Sequence, residues 1–317
     1  MKKVWSRILC AIMLCLLVTA NTMSANAAGT IDTNRDATLT ISYKNNGVVI
    51  PNAKFDVYKV ADVDAYAQMH LTERFAKYPI ELNQLKQDDE GALATTVKSY
   101  IWKDSLQPDA SGATDDMGNL QATLKPGLYL VIGNRCTVDD TTYSASPFFV
   151  LLPSSAEEQN SWEYAVTASP KADGEKNSSK DARISRKVLK IWDDGDKKNS
   201  RPKNITVHLL CDGKVYDTVT LNAENNWRHT WDNLEQNHDW LVSEDTVSGY
   251  TQNITQEGIT FTVKNTATTK TTPTPSKTKD SSLPRTGLLW WPALVLMVGG
   301  LLCVVIGLVQ RRGTNGE

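Results

Sequence analysis

The sequence predicts an all-β body made of two β-sandwiches in tandem, the first carrying a partly helical insertion. Three observations predict it. Short apolar runs alternate at period two and are separated by turn signals. Only one stretch in the body shows helical spacing. A polar segment, Ala-Asp-Gly-Glu-Lys-Asn-Ser-Ser-Lys-Asp at 172–181, divides the body as a linker would. In the second part, Ile205–Leu209 and Phe261–Lys264 alternate, and Asp194-Gly195, Asp212-Gly213 and Asn225-Asn226 mark turns. In the first part, strands are expected at Leu39–Tyr43, Lys54–Val60, Gly127–Ile132, Pro147–Leu152 and Glu163–Ala168. Between them Leu93, Val97, Tyr100 and Ile101 fall at i, i+4, i+7 and i+8 behind Asp88-Asp89-Glu90, which suits a helix N-terminus. The first domain is therefore expected over 28–171 with a helical insertion at about 62–110, and the second over 182–265. A Thr/Lys/Pro/Ser-rich stretch at 266–282 reads as an extended stalk.

The two ends set the compartment. A basic Met-Lys-Lys start, an apolar run from Ile8 to Val18 and Ala25-Asn26-Ala27 have the order of a secretory signal peptide, residues 1–27. At the other end Leu288–Val309 is long enough to span a bilayer, and Gln310-Arg311-Arg312 behind it favour a cytoplasmic tail. The body is thus expected outside the cell. Of five cysteines only Cys136 and Cys211 lie between these ends, one in each expected domain, so export comes without a disulfide framework.

Composition narrows the function classes. A net charge of −2 leaves no footprint for nucleic acid. His70, His208, His229 and His238 stand in no metal-ligand spacing, and neither a G-x-S-x-G elbow nor a phosphate-cradling glycine loop occurs. Neither an enzyme acting on a separate substrate nor a metal or cofactor is expected. Asp193-Asp194-Gly195-Asp196 has the wrong ligand spacing for calcium and reads as a solvated loop.

Three polar residues of the second part share faces with large apolar neighbours. Lys190 alternates with Val188 and Trp192, Glu244 with Trp240 and Val242, and Asn265 with Phe261 and Val263. Burial lowers the pKa of a lysine and raises that of a glutamate. A neutral amine can then attack the asparagine amide carbon while a protonated Glu244 polarises the carbonyl and shuttles protons. Ammonia leaves and an isopeptide bond remains. The alternative is an unreacted buried ion pair with an amide partner.

Three resemblances follow from these residues. Leu283-Pro284-Arg285-Thr286-Gly287, followed by the apolar run and the arginines, resembles the LPXTG cell-wall sorting signal. That likeness implies cleavage after Thr286 by a sortase within a sorting signal spanning 283–317. It also implies transfer to peptidoglycan or to a neighbouring pilin subunit at the Gram-positive cell surface. Residues 183–266, with Lys-Ile-Trp-Asp-Asp at 190–194, Arg201-Pro202, Trp227, Leu-Val-Ser-Glu-Asp at 241–245, Gly249-Tyr250 and Lys-Asn-Thr at 264–266, resemble a collagen-adhesin B-type (Cna-B) domain. This implies an immunoglobulin-like sandwich with Lys190 and Asn265 cross-linked and Glu244 catalytic. The first part resembles the N-terminal domain of Gram-positive pilins through residues 53–62, 125–129 and 144–148. Its Trp162-to-Lys171 end is similar to the W-x-x-x-V-x-V-Y-P-K motif, departing at Ala168 and Ser169. The likeness implies that Lys171 resolves the acyl-enzyme of the next subunit. The alternative is a solvated lysine after a strand-ending proline. The first domain departs where some related domains carry their own isopeptide, since Thr38–Tyr43 has no lysine and Tyr129–Gly133 no acid, so no isopeptide of that arrangement is expected there. The functional expectation is a wall-anchored pilus subunit. The alternative is a non-polymerised adhesin that would present the helical insertion to a host or matrix ligand.

Overall fold

A computed structural model of the chain describes residues 29–82, 85, 90–156, 161–177 and 182–268. The expected signal peptide, nearly all of the stalk, Leu283–Gly287 and the apolar run 288–309 lie outside the described residues. Among the described residues no helix is long and apolar enough to cross a membrane.

The first sandwich comprises, in chain order, β1 (Ala37–Ser42), a small hairpin of β2 (Lys44–Asn45) and β3 (Val48–Val49), β4 (Lys54–Val63) and β5 (Met69–Leu71). Helix α1 (Glu90–Lys103) follows, then β6 (Ala110–Ala113), β7 (Asn119–Leu124), β8 (Gly127–Gly133), β9 (Cys136–Val138), β10 (Thr141–Ala145) and β11 (Phe148–Leu152). A hairpin of β12 (Ser154–Ala156) and β13 (Ser161–Glu163), β14 (Ala165–Ala168) and β15 (Ala172–Lys176) complete it. One sheet runs β14-β1-β7, with β1 parallel to β14, and the larger runs β11-β8-β4-β5 with β6 also on β4. Strand β8, Gly-Leu-Tyr-Leu-Val-Ile-Gly, is buried at every position. Tyr129 and Val131 point into the core shared with Leu39, Ile41 and Phe55. Leu130 and Ile132 point the other way, onto Leu93, Val97, Tyr100 and Ile101 of α1. A strand covered on both faces reads as a continuous apolar run, as this one does.

The second sandwich comprises β16 (Arg183–Asp193), a 3₁₀ turn at Gly195–Ser200, β17 (Asn204–Cys211), β18 (Lys214–Asn222), β19 (Arg228–Glu235), β20 (Trp240–Glu244), β21 (Tyr250–Glu257) and β22 (Thr260–Ala267). Its sheets are β19-β16-β22-β21 and β18-β17-β20. Val188, Leu209, Leu221, Trp231, Phe261 and Val263 fill the space between them. The Asp212-Gly213 turn has φ of 46° and 82°, the two positive values that a two-residue hairpin turn requires. The first and last strands, β16 and β22, lie side by side and parallel, with Lys190 opposite Val263 and Trp192 opposite Asn265.

Two expectations about organisation change. The polar stretch at 172–181 begins with strand β15, which pairs antiparallel with β10 from Ala145↔Ala172 to Thr141↔Lys176, so its first half belongs to the first sandwich. Its polar sequence concealed a strand because four of its five residues face solvent. The helix of the expected insertion, in turn, is not a free surface. Helix α1 crosses β20 and β21, the edge strands of the two facing sheets, and closes the open side of the second sandwich. Thr96 and Ser99 on that side are 1% and 0% exposed. Trp102 packs against both the helix-facing core of the first domain and the core of the second. All the described residues therefore sit in one compact unit, which runs to Thr269.

Candidate functional site

Lys190, Glu244 and Asn265 converge in the second core. They come from β16, β20 and β22, and their exposures are 4%, 0% and 1%. Lys190 is held inside because Ile191 on the opposite face of β16 is the exposed one, which resolves a stretch where both faces looked apolar. Its Nζ lies 3.8 Å from Glu244 Oε2 and donates at 3.2 Å to the carbonyls of Val263 and Ile191. The Trp192 ring stands 4.3 Å from the amine. Asn265 Nδ2 donates to Glu244 Oε1 at 3.2 Å. The Glu244 carboxyl was expected at the amide carbonyl; it sits instead at the amide nitrogen, the atom that amide exchange would release. Among the described residues, Glu244 Oε2 and Asn265 Oδ1 have no hydrogen-bond partner.

Burial sets the protonation of this pair. Desolvation pushes the Lys190 amine down to about 8, against the attraction of Glu244. Desolvation likewise pushes Glu244 up to about 7, against Lys190 and Asn265. Two groups ordinarily separated by many orders of magnitude in proton affinity come within about one order. Moving a proton from Lys190 to Glu244 is then inexpensive, and it creates the neutral amine and protonated acid that amide exchange needs.

A polar cluster closes the end of the sandwich beside this site. Arg201 grips Asp194 through Nε at 2.6 Å and Nη2 at 2.7 Å, and Tyr250 donates to the same carboxylate at 3.2 Å. Asp194 is 8% exposed, so this one residue of the loop expected to be solvated is a buried anchor, while Asp193 and Gly195 beside it are exposed. Trp192 meets Trp227 and Tyr250 edge-on at 5.4 and 5.1 Å, which shields Lys190 from water.

The other sequence-predicted residues lie elsewhere. The Lys171 side chain, between β14 and β15, is 83% exposed and pairs with Asp173 at 2.9 Å. Leu283, Pro284, Arg285, Thr286 and Gly287 fall outside the described residues. Cys136 and Cys211 are free thiols. Cys211, Asp212 and His238 bring possible ligand atoms within 4.8 Å of one another, a grouping that sequence spacing did not suggest. Both His238 ring nitrogens are already engaged, by Asp212 at 2.5 Å and Glu235 at 3.1 Å.

Comparison with known proteins bears on this part of the chain. The family model of the Cna protein B-type domain matches residues 186–266, a segment that contains Lys190, Glu244 and Asn265. Residues 186–266 are a Cna protein B-type domain. A collagen adhesin of Staphylococcus aureus is 34% identical to this chain over 77 residues, which are 22% of this chain and 6% of that protein. The matched stretch is thus a small part of that relative. Solved structures similar to the chain include a single B repeat unit of the S. aureus collagen binding surface protein. It shows 16% identity, 74% of this chain and 99% of that one covered, and a TM-score of 0.26. The full-length major pilin SpaD of Corynebacterium diphtheriae shows 15% identity, 74% and 65% covered, and a TM-score of 0.30. The resemblance read from the motifs at 190–194, 241–245 and 264–266 thus holds for the B-type domain.

The sequence reading missed two residues of the B-type domain's surroundings. Gln252 is 4% exposed and stands directly opposite Asn265 in the β21–β22 register. Tyr100 of α1 donates to Gln252 Oε1 at 3.0 Å. The alternation Tyr250, Gln252, Ile254 carried the signal for the first. Nothing local carried it for the second.

Proposed function

We propose that this chain is a sortase-processed, cell-wall-anchored pilus subunit whose B-type domain is locked by a self-formed isopeptide bond between Lys190 and Asn265, with Glu244 as the proton shuttle. In this reading it has no separate substrate and takes no cofactor. Its partners are a sortase, which acts at Leu283–Gly287, and the peptidoglycan or pilin amine that receives Thr286; a host or matrix ligand remains open to it. The choice of pilus subunit rests on one observation. The two lysines with assigned roles have opposite environments. Lys190 is buried beside the amide it is to attack, whereas Lys171 presents an amine at the surface, where an enzyme-bound acyl group can reach it. The packing of α1 against the second domain weighs against the adhesin reading in which that helix meets a ligand.

Two experiments in producing cells test this. Lys171→Arg should abolish any high-mass ladder that resists boiling in detergent, while single subunits still reach the wall. A ladder that persists in the variant moves the acceptor to another lysine, and no ladder in the parent returns the chain to the non-polymerised adhesin. Thr286→Ala should leave the protein in the membrane fraction with its C-terminal apolar segment intact. Parent protein found in that same state would end the sorting proposal.

A further inference from the structure

Resting on the isopeptide reading above, we propose that the first domain completes the bond-forming site: Gln252 donates to the Asn265 carbonyl oxygen, and Tyr100 of α1 holds it there. The argument begins with an unfilled role. In amide exchange the negative charge of the tetrahedral intermediate collects on the carbonyl oxygen, and a donor aimed at that atom is a large source of rate. Glu244 is occupied at the other end of the amide, accepting from Asn265 Nδ2. Asn265 Oδ1 is buried and unpartnered among the described residues.

A matching donor stands beside it. Gln252 Nε2 is also buried and unpartnered among the described residues. Gln252 and Asn265 are directly opposed on antiparallel strands, so their side chains leave the same face with Cβ atoms about 5 Å apart. Rotation of either side chain within that space brings Nε2 to Oδ1. What fixes Gln252 is its other amide atom, Oε1, which accepts from the Tyr100 hydroxyl. Tyr100 is 0% exposed and its ring stacks on Tyr78 at 4.5 Å and 5°. Burial and the nearby Glu244 carboxyl raise the Tyr100 pKa far above neutrality, so the hydroxyl remains a donor. The helix itself is clamped to the B-type domain. Ile254 N–H of edge strand β21 donates to Thr96 Oγ1 at 2.8 Å, Ser99 donates to Ser243 at 3.3 Å and Lys103 pairs with Asp245 at 2.9 Å.

The step balances without an external reagent. The Lys190 Nζ–Asn265 Cγ bond forms and the Cγ–Nδ2 bond breaks. One proton from the neutral amine passes through Glu244 to Nδ2, which leaves as ammonia. Gln252 keeps its own protons throughout and only lowers the energy of the intermediate.

The test uses the whole chain made by cell-free translation, with intact mass read from minutes to days. Gln252→Met keeps volume but has no donor, and it should slow the loss of ammonia by about 10²-fold, the effect of removing one such donor. Tyr100→Phe keeps the ring and its stacking and should slow the loss by about tenfold. If Tyr100 served only to pack, the phenylalanine variant would cyclise at the parent rate. Circular dichroism and the exchange rate of the Ile254 amide report whether each variant is folded and docked. Parent-like rates in both docked variants overturn this inference and leave the isopeptide proposal intact. A parent chain that never loses ammonia removes the proposal on which it rests.

Discussion

Intact-mass measurement of the whole chain should show the loss of one ammonia, traced to the B-type domain, residues 182–266, and Glu244→Ala should restore the full mass. Lys190 and Glu244 have fully buried side chains, and removing one partner of such a pair typically costs about 3–5 kcal/mol because the other charge is left uncompensated. In the reacted state Lys190 is part of a neutral amide that ties the first strand to the last, and Glu244 keeps the proton it took up, so neither charge remains. Closing a loop of this size should stabilise the domain by about 4 kcal/mol if the entropy estimate for disulfides carries over. The Glu244→Ala domain should therefore melt well below the parent and become sensitive to protease. The rate has a signature too. Reaction needs a neutral Lys190, whose population rises through a midpoint at about 8, and a protonated Glu244, whose population falls through a midpoint at about 7. The rate should be bell-shaped, climbing towards pH 7 and declining beyond pH 8. A parent domain at its full calculated mass would sink the cross-link and leave Lys190 an ordinary buried cation.

Ser99→Arg should undock the helix from the B-type domain. Ser99 is 0% exposed and faces Ser243, also 0% exposed, at 3.3 Å. A guanidinium forced into that contact finds the neighbouring Asp245 carboxylate already held by Lys103, and burying a charge without a partner of its own costs several kcal/mol. Separating the two surfaces is the cheaper outcome. The Ile254 amide, which donates to Thr96 in the docked state, would then face water at the edge of its sheet. Its hydrogen exchange should accelerate by at least 10²-fold, and that of Val263 in the interior strand should not. An unchanged Ile254 rate would show that the interface does not behave as the contacts imply.

Much of this was legible because it is local. Period two placed Lys190, Glu244 and Asn265 on inward faces, and helical spacing found the side of α1 that packs on its own sheet. The opposite side of that helix was not legible. Thr96 and Ser99 are polar, and in a single sequence small polar residues between apolar ones read as the solvated face. Their burial comes from a second domain more than a hundred residues away, through hydrogen bonds that satisfy each polar atom. Strand β15 was missed for a related reason, since its pairing with β10 uses backbone groups while its side chains read as linker. Asp194 was taken for a solvated loop residue because its partners, Arg201 and Tyr250, become neighbours only after folding.

The parallel pairing of β16 with β22 has a mechanical consequence. The chain enters the B-type domain along one of these strands and leaves along the other, so a pull on the two ends drags them past each other. Such shear loads the strand-to-strand hydrogen bonds together, whereas an antiparallel pair would be unzipped one bond at a time. With a Lys190–Asn265 bond in place, tension crosses from one strand to the other through a single covalent step. The residues between 190 and 265 then carry none of the load. Extension under force would be confined to the segments outside that pair, and the sandwich itself would transmit the pull without lengthening.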